Sequence, residues 1–186
     1  MTADNHQSIG LIELSSIAAG FIVADTMLKA ADVRLLLSRS ICSGKYMVLI
    51  GGEVSAVGAA VHAGCSAARG MLIDQTVLPR IHPDVFTAIG RSQPVEPSGA
   101  LGILESFNVA TLIEAADTAV KAANVTLMEI RLAMALGGKA FASFTGDVSS
   151  VQAAVDAGKA VIAAAGVLVN AVVIPRPHPR VYHEVL

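Results

Sequence analysis

The sequence contains no tryptophan, and aromatic residues make up only 4% of its 186 positions. Charged residues are also scarce, at 15%, compared with about 25% in ordinary soluble domains. The apolar fraction of 54% exceeds the usual range of about 45–50%, and the surplus consists mostly of Ala, Val, Ile and Leu. This composition argues against an aromatic ligand pocket and predicts flat, close-packed subunit interfaces.

Four further shortages limit the classes of function. A formal net charge of −2 gives no general attraction to nucleic acid or acidic lipid. The longest apolar run, residues 160–169, ends at Asn170, well short of the roughly 20 residues of a spanning helix. Residues 1–8 carry no signal-peptide pattern, and the chain has only two cysteines. We therefore expect no nucleic-acid or membrane partner and a reducing, cytoplasmic location.

The chain contains one pattern twice. The paired segments are residues 9–13 and 101–105 (Ile-Gly-Leu-Ile-Glu and Leu-Gly-Ile-Leu-Glu), 24–26 and 116–118 (Ala-Asp-Thr), 44–45 and 138–139 (Gly-Lys), and 79–83 and 175–179 (Pro-Arg-x-His-Pro). The offset between copies rises from 92 to 94 to 96 along the chain, as small loop insertions would produce. The sequence therefore predicts a duplicated domain.

Each copy is predicted to have the order β-α-β-β-α-β. Apolar runs with β-branched residues indicate strands, and Ala-rich stretches with helical spacing indicate helices. The first copy has predicted strands at 8–14, 33–41, 45–50 and 71–78 and helices at 17–31 and about 53–70; the second has strands at 100–106 and 167–174, helices ending near 123 and spanning 149–165, and a hairpin tip at 134–138. This is an α+β, ferredoxin-like arrangement. The predicted domains are 8–91 and 100–186, with 92–99 as linker.

Two local features of the first copy complete this prediction. Ser15 or Ser16 can cap the first helix, whose apolar stripe is Ile17, Phe21, Ala24 and Leu28. Cys42-Ser43-Gly44 forms the hairpin turn between the second and third strands, with Gly44 supplying the flexible backbone.

Motifs of enzymes are missing from the sequence. Gly137-Gly138-Lys139 lacks the first glycine of a phosphate loop and the hydroxyl residue after the lysine. Glu13 and Glu105 recur at predicted strand ends and are interpreted as structural. Ser, His and Asp share no nucleophile–base motif, so we do not expect an enzyme.

Together, the repeated segments resemble the bacterial microcompartment shell domain, and the duplication resembles its tandem, unpermuted members. The resemblance implies a trimer that imitates the hexamer of single-domain relatives. It implies a location in a microcompartment shell within the cytoplasm, and as partners other shell proteins and an encapsulated redox enzyme. The likeness is strongest to the tandem shell proteins of propanediol-utilisation compartments, in which a hairpin cysteine from each of three subunits holds an iron–sulfur cluster.

The resemblance assigns a cofactor site to Cys42. Three symmetry-related thiolates would hold one [4Fe-4S] cluster and leave one iron open, for electron relay or cluster transfer across the shell. This chain has Ser43 where a tandem member of the family that it resembles has proline, so its turn is less rigid. The pore-lining loops would be Ser43, Gly44, Met134, Ala135, Leu136, Gly137 and Gly138. Cys65, in a predicted helix, is interpreted as a small buried apolar residue.

The resemblance also implies a tile edge that packs against neighbouring hexagons. Its residues would be Lys29, Arg80, His82, Lys121, Arg176 and His178. The alternative for the two lysines is that they are solvated cations at helix ends, favoured by the helix dipole.

Two other functions remain open at this point. Without a cluster, the tile would be a metabolite pore with Cys42 as a thiol at its rim. The same β-α-β-β-α-β unit could instead serve a soluble sensor or a small redox enzyme.

Overall fold

The computed structural model describes residues 8–89, 99–133 and 136–181. Contacts divide the chain into two compact units between Ile81 and His82, and each unit is described by itself. The domain bounds given above remain predictions. Within the described residues, no helix is both long and apolar enough to cross a membrane.

The first unit is a four-stranded antiparallel sheet with two helices. Its elements are β1 (Ser8–Leu14), α1 (Ile17–Ala30), β2 (Arg34–Ile41), β3 (Lys45–Gly52), α2 (Val54–Ala67) and β4 (Leu72–Pro79). The strand order is β2-β3-β1-β4, and Ser8 of β1 lies opposite Gly52 on one side and Pro79 on the other. The predicted ferredoxin-like topology is confirmed.

The second unit repeats this topology and adds one short helix. Its elements are α3 (Pro83–Ala88), β5 (Ala100–Ser106), α4 (Val109–Ala122), β6 (Thr126–Leu132), β7 (Ala140–Gly146), α5 (Val148–Ala164) and β8 (Leu168–Pro175). The strand order is β6-β7-β5-β8. The helix α3 was not predicted from the sequence; it begins with proline at its first position and has His82 as its N-cap.

Glycines in the middle of β1 and β5 explain why the Ile/Leu-Gly segment recurs. A Cβ added to Gly10 would lie 2.7 Å from Val61 and 2.8 Å from Val57 of α2. A Cβ added to Gly102 would lie 2.7 Å from the corresponding valines of α5. The helix therefore packs directly on the strand backbone in both units, and a side chain at this position would push the helix away.

The buried face of α1 differs from the apolar stripe identified in the sequence. Ser16 does cap the helix, because its Oγ accepts the N–H of Ala19 at 3.3 Å. However, Ile17, Phe21 and Leu28 are exposed. The buried positions of α1 are Gly20, Val23, Ala24 and Met27, of which only Ala24 belongs to the predicted stripe. Two apolar stripes lie side by side on this helix, and periodicity alone could not choose between them.

Candidate functional site

The turn between β2 and β3 carries Cys42. Residues Cys42–Gly44 form a single 3₁₀ turn, and Gly44 has a φ of 72°, in the left-handed region that favours glycine. No atom lies within 4 Å of a Cβ added to Gly44, so the space beside this residue is open. Cys42 is partly buried and forms no disulfide. Of Ser43, only the backbone is described.

The corresponding turn of the second unit contains no cysteine. Met134 and Ala135 lie outside the described residues. Gly137 and Gly138 have φ values of 62° and 88°, and a Cβ on either would also meet open space. The turn is closed by a hydrogen bond of 3.2 Å from Lys139 N–H to the carbonyl of Leu136.

An ion pair anchors the base of each turn. Lys45, directly after the first turn, lies 3.9 Å from Glu13, and Lys139 lies 2.5 Å from Glu105. Burial raises the pKa of Glu13, the charge of Lys45 lowers it, and the charge of Asp74 raises it further. The two glutamates thus connect β1 and β5 to the strand that leaves each turn, a structural role.

A metal cluster at Cys42 would need ligands from other copies of the chain. Among the residues that the structure describes, no group of three or more His, Cys, Asp or Glu side chains could hold a metal ion. The other cysteine, Cys65, is partly buried in α2, and burial raises the pKa of its thiol. It therefore favours the protonated form, which is a poor metal ligand.

The predicted edge lysines both end a helix but differ in environment. Lys29 Nζ donates to Asp25 at 2.6 Å, and the Asp25 side chain is 61% exposed. Lys121 Nζ donates to Asp117 at 2.5 Å, and the Asp117 side chain is only 12% exposed. The carboxylate of the Lys121–Asp117 pair is therefore largely buried, whereas that of the Lys29–Asp25 pair is exposed to solvent.

Asp117 joins two of the predicted edge residues. One carboxylate oxygen accepts from Lys121, and the other accepts the backbone N–H of His82 at 2.7 Å. The His82 ring in turn accepts the N–H of Asp84 through Nδ1 at 3.3 Å, which starts α3. The sequence analysis did not assign a role to Asp117, although the repetition of Asp25 and Asp117 was the signal that could have done so.

The Pro-Arg-x-His corners have the same backbone in both units. Arg80 and Arg176 have φ values of 55° and 50°, unusual for residues with a side chain. The N–H of Arg176 donates to the carbonyl of Gly99 at 3.1 Å. His178 Nδ1 accepts the N–H of Arg180 at 3.3 Å, which repeats the cap made by His82. Within the part of the chain that the structure describes, Lys29 forms its ion pair with Asp25 and not with another predicted edge residue.

Comparisons with known proteins agree with this duplicated architecture. The model of the BMC domain matches residues 8–81 and 100–177. The chain is 45% identical to the bacterial microcompartment shell protein PduT of Citrobacter freundii, over 97% of this chain and 98% of the relative. It is 46% identical to the shell protein EutM of Salmonella typhimurium over 79 residues, which are 42% of this chain and 80% of EutM.

A solved structure is similar over nearly the whole length. The crystal structure of a microcompartment protein from Desulfitobacterium hafniense superposes with a TM-score of 0.92 at 49% identity, and the match covers 96% of this chain and 99% of that one. The chain thus belongs to the BMC-domain family, as a member with two domains in tandem, and is a structural shell protein of a bacterial microcompartment.

Proposed function

We propose that the chain forms a trimeric tile of the microcompartment shell, in which six domains surround a central passage lined by the β2–β3 and β6–β7 turns. Two units of one topology within a chain can occupy two of six equivalent positions, and three chains then close the ring. The exposed apolar side chains of α1 also favour burial against another copy.

Within this tile, Cys42 from each chain would hold a [4Fe-4S] cluster. The observation that carries this proposal is the position of Cys42, a partly buried cysteine that forms no disulfide, on a single 3₁₀ turn with open space beside its Gly44. One thiol per chain cannot bind such a cluster, but three on one axis leave a single iron with an open position. A bound cluster would supply one-electron transfer, with an encapsulated redox enzyme as its partner.

Substitution of Cys42 by serine is expected to abolish iron binding. Anaerobically purified protein should contain about four iron atoms and four acid-labile sulfides for every three chains, and should show the visible and EPR spectra of a cubane. Cys42→Ser should lose them, because serine is a much poorer ligand for cluster iron. Cys65→Ser is the matched control and should keep the full iron content, since Cys65 lies within α2.

The opposite result would decide for the cluster-free pore. A spectrum retained by Cys42→Ser would show that other residues hold the cluster. A trimer that remains free of iron after anaerobic reconstitution would show that Cys42 is not a ligand. The tile itself would then stand, with a passage for metabolites and a thiol at its rim.

The edge assignment of Lys29 predicts a loss of tiling without a loss of stability. The Lys29–Asp25 pair is exposed, and such pairs contribute about 0–1 kcal/mol. Lys29→Ala should therefore leave the unfolding temperature nearly unchanged but prevent extended sheets in electron micrographs and co-assembly with single-domain shell proteins. Lys159→Ala, on an exposed position of α5, is the matched control. Sheets formed equally well by Lys29→Ala would contradict the edge role.

A further inference from the structure

The first unit exposes an apolar face that the second unit buries. Phe21 of α1 is 65% exposed, whereas its equivalent 92 positions later, Ile113 of α4, is 0% exposed. On the adjacent strands, Leu35 of β2 is 40% exposed and its equivalent Leu127 of β6 is 2% exposed. Because the two units share one topology, the difference lies in what covers this face.

In the second unit, α3 packs against α4 and β6, the elements that carry Ile113 and Leu127, and we call it the cover. Its Val85 is fully buried. Ile89, the residue that follows α3, pairs with Ile130 of β6 in a parallel bridge. The hydrogen bond from His82 N–H to Asp117 fixes the start of the segment. The segment that follows a Pro-Arg-x-His corner thus completes the core of this unit.

The chain has a second segment of this kind, and its apolar side is not covered. After the second corner, residues 179–181 begin a helical turn, and His178 caps this turn as His82 caps α3. Val181 stands 96 positions after Val85, and an aromatic residue follows the valine in both copies. Val181 is 39% exposed, whereas Val85 is buried.

The carboxylate that receives the cover is present in both units. Asp117 accepts from Lys121 and from the backbone N–H at the start of the cover. Asp25, its equivalent, accepts from Lys29 and is open to solvent. The first unit therefore has the receiving face and the C-terminal segment has the cover, and both are exposed in one chain.

We propose that the α1–β2 face of one chain binds the segment that begins at His178 of a second copy, with the His178 N–H donating to Asp25 and Val181 packing toward Phe21. The contact joins two different surfaces, so it runs head to tail and closes into a ring when the rotation allows. This interface rests on the proposed trimer and specifies which surfaces hold it together. The Lys121 side chain remains 43% exposed beneath its cover, so Lys29 can still reach outward to a tile edge.

Two neighbouring side chains of α1 provide a matched test. Phe21 lies on the receiving face, whereas Ile22 is 61% exposed and has exposed Glu114 as its equivalent. Phe21→Glu should raise the dissociation constant of the assembly by about 30-fold or more, the effect of a central interface residue. Ile22→Glu introduces the residue that the second unit has at this position, and should change the dissociation constant of the assembly less than about threefold. Phe21→Ile, which copies Ile113, should assemble.

A substitution on the other partner surface makes the test independent of α1. Val181→Glu should weaken assembly as Phe21→Glu does, and it cannot act through the packing of α1. Sedimentation velocity gives the oligomeric state, and circular dichroism checks that each variant is folded. A wild-type trimer that persists in both Phe21→Glu and Val181→Glu would overturn this interface while leaving the tile in place. A wild-type chain that is monomeric at micromolar concentration would overturn both.

Discussion

Gly20→Leu is expected to destabilise the first unit by about 3 kcal/mol, and adding Tyr46→Ala is expected to restore most of that loss. The ring of Tyr46 in β3 lies over Gly20 in α1, so closely that an added Cβ would be 2.1 Å from its Cδ1 atom. The second unit has Leu112 and Ala140 at the equivalent positions, and both are buried. The two units thus fill the same space with the large residue on opposite elements.

Each single substitution should be costly for a different reason. Gly20→Leu forces a side chain into an occupied volume, whereas Tyr46→Ala empties it and should cost about 3–5 kcal/mol. Together they reproduce the packing of the second unit, so their effects should not add. Tyr46→Phe is the control: it keeps the ring and loses only the hydrogen bond of 3.0 Å with Ser38, worth about 1 kcal/mol.

The measurement must report on the first unit alone, because a chain with two units need not unfold in one step. Amide hydrogen exchange of β1 and β3 gives the stability of this unit within the intact chain. A double variant as unstable as the sum of the two single variants would show that the packing of the second unit cannot be transferred. Only Lys45 separates Tyr46 from the turn at Cys42–Gly44. The same variants therefore also test whether the packing of Tyr46 stabilises that turn.

The duplication is the reason why the fold could be predicted from the sequence. A weak pattern of strands and helices that occurs twice, with the same glycines and the same corner, leaves few alternatives, and the structure confirms the β-α-β-β-α-β order in both units. The turn at Cys42–Gly44 was also predictable, because Gly44 interrupts two apolar runs and takes a positive φ.

The features that were not predicted correctly depend on contacts between segments distant in sequence. The buried face of α1 depends on Tyr46, which fills the space above Gly20. The sequence of the helix alone does not predict this contact, because Tyr46 belongs to β3. The helix α3 was missed because prolines at its start resemble a loop, whereas Val85 is buried only by tertiary packing. Asp25 and Asp117 are equivalent in the sequence, yet only the structure distinguishes the covered carboxylate from the open one.

That distinction predicts a large difference between two identical substitutions. Asp117→Ala should destabilise the second unit by about 2–3 kcal/mol, because the partly buried N–H of His82 loses its acceptor and Lys121 loses its counter-charge. Asp25→Ala should change the stability of the first unit by less than about 0.5 kcal/mol, because it removes only an exposed ion pair. Amide hydrogen exchange of α4 and α1 measures the two effects separately.

Asp117→Asn separates the two functions of the carboxylate. The amide oxygen can still accept from the His82 N–H, so this variant should lose only the interaction with the charge of Lys121 and keep α3 in place. Equal losses of stability in Asp117→Ala and Asp25→Ala would contradict the role of α3 as a cover. If Asp25→Ala instead leaves folding intact and weakens assembly, the repeated aspartate accepts a hydrogen bond from the start of a covering segment in both units. In the second unit Asp117 holds the segment that begins at His82 of its own chain, and in the first unit Asp25 receives the equivalent segment, which begins at His178, from a neighbouring copy.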